Sequence, residues 1–127
     1  LQTSDLNIFT AGDIAQFDDI ICERKHQIVN WTNAIEQGRA TASAMAGDSQ
    51  EFKFVSSYAT RIGDLELTFI GDTGRLEADN IARVEKDGAV IELFERNKKT
   101  VGAVILGSAK ERTTITKAIT NKTLYNI

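Results

Sequence analysis

This sequence predicts an α+β fold: an antiparallel sheet of about five strands closed by a C-terminal helix, preceded by one strand and one helix of α/β character. Three observations carry that reading. Residues 65–70, Leu-Glu-Leu-Thr-Phe-Ile, alternate so that Leu65, Leu67 and Phe69 share one face of a strand. Segments 80–86 and 89–97 flank Asp87-Gly88, the favoured two-residue hairpin turn. Residues 28–46 place Trp31, Ala34, Ile35, Gly38, Ala42 and Met45 at spacings of three and four, the period of a helix with one apolar face.

In chain order, residues 1–6 are a polar connector, with Thr3-Ser4-Asp5 prone to turn. Residues 7–12 carry the apolar run Ile8 to Ala11 and predict a short buried strand that stops at Gly12-Asp13. From Asp13 to Gln27 there is no clear period, only the apolar patch Ile20-Ile21-Cys22 and the charge run Glu23-Arg24-Lys25-His26, expected to be solvated. A long irregular loop of this kind is more often functional than not. The following helix is thin, with Gly38, Ala40, Ala42, Ser43, Ala44 and Ala46 along it, and Gly47 is its expected stop. Asp48-Ser49-Gln50-Glu51 reads as a polar hinge, which divides the chain into domains 1–47 and 48–127.

The second part is mostly β. Residues 52–58 alternate at first, 65–70 alternate cleanly, and Gly71-Asp72-Thr73-Gly74 is a turn cluster. Asn97-Lys98-Lys99 marks another hairpin, and the apolar run 100–106 is expected at the centre of the sheet. Ser108 and Glu111 have the spacing of a capping box, opening a last helix with Ile115, Ala118 and Ile119 turned inward.

Composition limits the function. The 127 residues are 42% hydrophobic and 26% charged, ordinary for a globular protein. A net charge of −3, with no basic block interleaved with aromatics, gives no reason to expect nucleic acid. No apolar run reaches the roughly 20 residues of a membrane helix. The single Cys excludes an internal disulfide and suits a reducing cytoplasm. The chain starts at Leu1 rather than Met, so a fragment is expected.

Asp13 is the first candidate site residue. A strand ending in Gly-Asp can present one carboxylate to a sugar or polyol hydroxyl beyond a sheet edge. Trp31, Thr32 and Asn33 stand at the start of the long helix, where unpaired N–H groups and partial positive charge favour an anion or carbonyl. With one Cys and one His, no metal ligand set is expected, and Cys22 has no evident resolving thiol or paired base. No acid–base pair or nucleophile stands out, so no catalytic residue is assigned.

Residues 7–15, Asn-Ile-Phe-Thr-Ala-Gly-Asp-Ile-Ala, followed by 30–38, Asn-Trp-Thr-Asn-Ala-Ile-Glu-Gln-Gly, resemble the end of the flavin domain of FAD-dependent pyridine nucleotide(-disulfide) oxidoreductases. That resemblance implies that Gly12 and Asp13 meet the ribitol of FAD, while Trp31 and Thr32 lie at the helix end facing the flavin ring. Residues 62–72 and 99–107 are similar to the small C-terminal domain of NAD(P)H-rubredoxin reductases and the nitrite reductase large subunit. Together the two likenesses imply the last strand and helix of an FAD-binding domain, then a complete C-terminal reductase domain. They imply FAD and NAD(P)H as cofactors of an intact parent, a small electron-transfer protein as acceptor, and a homo-oligomer. The Gly-x-Gly-x-x-Gly units that bind FAD and NAD(P)H in that family do not occur in this sequence, so the isolated fragment is expected to be inactive. The competing expectation is a free-standing α+β module for dimerisation or partner binding that never meets flavin.

Overall fold

The structure is a computed structural model that describes residues 1–126. Ile127, the end of the expected second domain, lies outside the described residues. The chain divides into two compact units, Leu1–Ser56 and Ser57–Ile127.

The second unit is the expected five-stranded antiparallel sheet with a C-terminal helix. Its strands are β3 (Ser57–Ile62), β4 (Leu65–Gly71), β5 (Asn80–Lys86), β6 (Ala89–Arg96) and β7 (Lys99–Leu106). The first unit supplies β1 (Phe17–Asp19) and β2 (Arg24–His26). The large sheet runs β3-β4-β7-β6-β5, so β7 returns to the middle, as its continuous apolar sequence requires. Asp87 and Gly88 both take positive φ, as do Asn97 and Lys98, the geometry that matches a tight turn to the twist of its strands. The ladder between β6 and β7 slips at Phe94/Glu95.

Cross-strand register places Ile70 with Ala103 and Leu93, and Thr68 with Ile105 and Ile91, on one face. Helix α2 (Arg112–Thr120) packs on β4 and β7, contributing the buried Ile115 and Ile119. Where β4 ends, the chain turns across β7. The Asp72 N–H donates to the Val101 carbonyl at 2.9 Å, and an added side-chain carbon at Gly102 would overlap the Asp72 backbone. The buried Asp72 carboxylate accepts from Gly74 N–H at 3.1 Å and pairs with Arg96 at 3.1 Å.

Two expectations for this unit are corrected. The strand begins only at Ser57, because Phe52 and Phe54 serve the first unit, where the Phe52 ring meets Phe17 edge-on at 5.4 Å. Ser108 does not cap α2, and the helix opens after Glu111 without a side-chain cap. Glu111 is used elsewhere: its carboxylate accepts from the Tyr125 hydroxyl at 2.8 Å and pairs with Lys86 at 3.1 Å. This clasp ties the C-terminal segment to α2 and to the end of β5. The Tyr125 hydroxyl and the Lys86 ammonium hold Glu111 below the ordinary carboxylate range, and Glu111 in turn raises Lys86. Burial, then Glu111, raises the Tyr125 phenol.

The first unit contains helix α1 (Trp31–Met45), which contacts the Gly12–Ile14 turn, and the β1/β2 hairpin. Asn30 caps α1, its side chain accepting from Asn33 N–H at 2.9 Å. The far end closes as the sequence predicts. Gly47 has φ +94, its N–H donates to Ala44 at 3.1 Å, and Asp48 N–H donates to Ser43 at 3.0 Å.

Two further expectations fail here. Residues 7–12 form no strand within this chain; Phe9 makes a single antiparallel bridge to Gln2. A strand exists through its ladder partners, and the backbone bonds of Ile8 and Thr10 run to Leu1, Thr3 and Asp5 of the connector. The expected apolar face of α1 is not its buried face. Trp31 is 80% exposed and Met45 67%, whereas Asn33 and Gln37 are completely buried.

Candidate functional site

The inward polar stripe of α1 explains the conformation of the Gly12-Asp13 segment. Gly12 opens a short 3-10 turn, Gly12–Ile14, with φ +80, a backbone state that costs little only without a side chain. Space is not the constraint, since an added carbon there would rest 3.7 Å from Ala34 Cβ. Gly12 N–H donates to Gln37 Oε1 at 2.7 Å, Ala15 N–H returns to the Gly12 carbonyl at 2.9 Å, and Gln27 Nε2 donates to the Asp13 carbonyl at 2.7 Å. The turn is therefore tied to the second turn of α1 and to residue 27, while the Asp13 carboxylate stays exposed.

One turn earlier on α1, Asn33 Nδ2 donates to the Ile28 carbonyl at 3.0 Å, which sets the entry of the chain into the helix. Asn30 Nδ2 donates to Ser56 Oγ at 2.7 Å. Trp31 and Thr32 are exposed, and as the first two helical residues their N–H groups have no acceptor inside the helix. Ile14, Val29 and Trp31 are exposed as well, an apolar set close in sequence to the Gly12 turn and the start of α1.

Of the four residues singled out from the sequence, Gly12 and Asp13 lie in the clamped turn, and Trp31 and Thr32 lie at the helix end. What joins the turn to the helix is Gln37, a residue sequence reasoning passed over. Its signal was its position, four residues after Asn33, on the side of the helix opposite to the apolar stripe. The Asn33 Oδ1 and Gln37 Nε2 atoms are buried without a hydrogen-bond partner among the described residues.

A second constellation was not anticipated at all. His26 was expected to be a solvated surface residue; it is buried, with Nδ1 3.0 Å from Asp19 Oδ2. The hairpin register explains this. Phe17 pairs with His26 and Asp19 with Arg24, so alternate residues turn inward, while Asp18 and Lys25 pair on the outside at 3.0 Å. Asp19 Oδ1 accepts from Ile21 N–H at 2.9 Å and Cys22 N–H at 3.0 Å, which winds the turn and brings the buried thiol back to the carboxylate. One ligand atom each of Asp19, Cys22 and His26 lies within 4.8 Å of the others. Burial alone would raise the Asp19 carboxyl. Hydrogen bonds from His26, Cys22 and Ile21 outweigh it and hold the carboxyl below its ordinary value.

No family model matches the chain. An NADH oxidase of Methanocaldococcus jannaschii is 30% identical over 127 aligned positions, covering 87% of this chain and 28% of that protein. Among solved structures, the fold matches the covalent putidaredoxin reductase–putidaredoxin complex with a TM-score of 0.77 at 18% identity, covering 88% of this chain and 27% of that one. It matches an FAD-dependent pyridine nucleotide-disulphide oxidoreductase from Desulfovibrio vulgaris with a TM-score of 0.74 at 19% identity, covering 97% and 34%. The chain thus spans about a third or less of each of these three proteins. Its fold is one found in FAD-dependent pyridine nucleotide-disulphide oxidoreductases, the group whose motifs residues 7–15 and 30–38 resemble. Among the described residues no helix is long and apolar enough to cross a membrane.

Proposed function

We propose that this chain is the part of an FAD-dependent NAD(P)H oxidoreductase that completes the flavin site with residues 1–47 and adds a reductase domain with residues 48–127. The observation that carries this reading is the Gly12-Asp13 turn, held on α1 by the 2.7 Å bond to Gln37 with its carboxylate left exposed. A positioned but unused acceptor suits a polyol hydroxyl, and Asp13 acts there as a hydrogen-bond partner rather than as acid or base. The outward N–H groups of Trp31 and Thr32 suit the electron-rich edge of a flavin ring. The exposed faces of Ile14, Val29 and Trp31 suit its apolar body. These features fit the cofactor.

Bound FAD supplies the redox chemistry between NAD(P)H and the electron acceptor. This chain's own contribution is to place hydrogen-bond partners and to limit water beside the ring through Trp31 and Ile14. The Gly-x-Gly-x-x-Gly units belong to a longer protein, so the 127 residues alone neither retain FAD nor turn over NAD(P)H. A small redox protein as acceptor is supported by the putidaredoxin reductase–putidaredoxin complex, whose reductase shares this fold. A homo-oligomer in a reducing cytoplasm completes the proposal; the lone Cys22 supports the compartment.

The test is Asp13→Ala in the longer flavoprotein. Loss of one hydrogen bond to a charged acceptor, about 1.5–3 kcal/mol, weakens FAD retention by roughly tenfold or more. Unchanged retention after dialysis would remove Asp13 from the flavin site.

A further inference from the structure

We propose that Asp19, Cys22 and His26 form a binding site for a thiophilic divalent metal ion, with Zn²⁺ as the natural occupant. The proposal is independent of the flavin reading, because all three residues lie on the β1/β2 hairpin. The ligand atoms are already gathered within 4.8 Å of one another, and all three side chains are buried. The hairpin pairing Phe17↔His26 and Asp19↔Arg24 fixes two of them on one face. The third is fixed by the turn that Asp19 Oδ1 winds through Ile21 and Cys22. Three donors within eight residues therefore need little rearrangement to close on an ion.

Donor chemistry selects the metal. One thiolate, one imidazole and one carboxylate make a mixed sulfur–nitrogen–oxygen set suited to zinc, whereas calcium and magnesium favour oxygen alone. Charge balances as well. Zn²⁺ replaces the Cys22 thiol proton and the proton between Asp19 Oδ2 and His26 Nδ1. The products are thiolate, carboxylate and neutral imidazole around a dication, neutral overall, which is the condition for burying charge. Three protein ligands leave a fourth tetrahedral position for water or another small ligand.

The test titrates the 127-residue chain, kept reduced with a phosphine, with Co²⁺ and then with Zn²⁺ against a competing chelator. The expected result is one equivalent per chain and a near-ultraviolet thiolate-to-cobalt band that Zn²⁺ abolishes. Cys22→Ser is close to isosteric and removes the band. Asp19→Asn keeps the Oδ1 acceptor that winds the turn, and lowers Zn²⁺ affinity by at least about tenfold. Circular dichroism of both variants shows that the fold is retained. A titration without the thiolate band overturns the proposal. So does Zn²⁺ binding of equal strength in wild type and Cys22→Ser, since the metal would then sit elsewhere.

Discussion

Replacing Gln37 by alanine removes the acceptor that holds Gly12 N–H at 2.7 Å, at a helix position with no exposure. Leaving that N–H without a partner costs about 1–3 kcal/mol. Losing one buried methylene adds about 0.8 kcal/mol. An opposing gain comes from deleting Gln37 Nε2, which is itself buried without a partner and recovers a similar 1–3 kcal/mol. The net is a loss of about 1 kcal/mol, a factor of about five in the equilibrium for opening the turn. Gln37→Met keeps the bulk while losing both polar atoms, so it leaves overall stability nearly unchanged and still frees Gly12. Native-state hydrogen exchange reads the two effects separately, through the Gly12 amide and the amides of 35–45 in α1. Both variants are expected to lower protection at Gly12, and only alanine to lower it along the helix. Unchanged Gly12 protection in both would refute the claim that Gln37 positions the turn.

Three further outcomes follow from the packing. Gly102→Ala forces a side chain into the Asp72 backbone and destabilises the second unit by about 1–3 kcal/mol in urea unfolding; wild-type stability would contradict that crossing. Tyr125 has a raised phenol pKa, so its contribution to stability is complete below the ordinary tyrosine value of about 10 and is lost as pH rises through the raised one. In a Tyr58→Phe background, ultraviolet titration should show that phenol ionising late, and Glu111→Gln should shift it back down; no shift would mean the clasp does not form in solution. Asn30→Ala removes the α1 cap and costs about 1 kcal/mol of helix stability, read by urea unfolding monitored at the α1 amides; equal midpoints would show that the cap contributes nothing.

Most of the second unit was legible because its signals are local. Asp87-Gly88 dictates a tight turn through residues that tolerate positive φ, and Asn97-Lys98 forms a second one. Alternation along 65–70 located β4, although the face the sheet buries is that of Thr68 and Ile70 and not that of Leu65, Leu67 and Phe69. The first unit was harder to read for the opposite reason. Period 3.6 correctly located α1, yet it says nothing about which side turns inward. Here Asn33 and Gln37 are inside because they serve Ile28 and Gly12, and Trp31 is left outside. His26 lay within a run of charged residues, but a two-residue alternation in β2 buries it against Asp19, seven positions back. Ser108 and Glu111 had the right spacing for a cap, and a more distant partner, Tyr125, took the carboxylate. For Gln37 and Glu111 the role was settled by a partner remote in sequence, and for Asn33 and His26 by a nearer one, none of which spacing alone reveals.

The most direct test of the account is the visible spectrum of the longer flavoprotein to which it assigns these 127 residues, purified and then mixed with NAD(P)H without oxygen. The account predicts a yellow protein with one flavin per chain that bleaches on adding the nucleotide. A colourless protein, or a flavin band that NAD(P)H leaves unchanged, would contradict it.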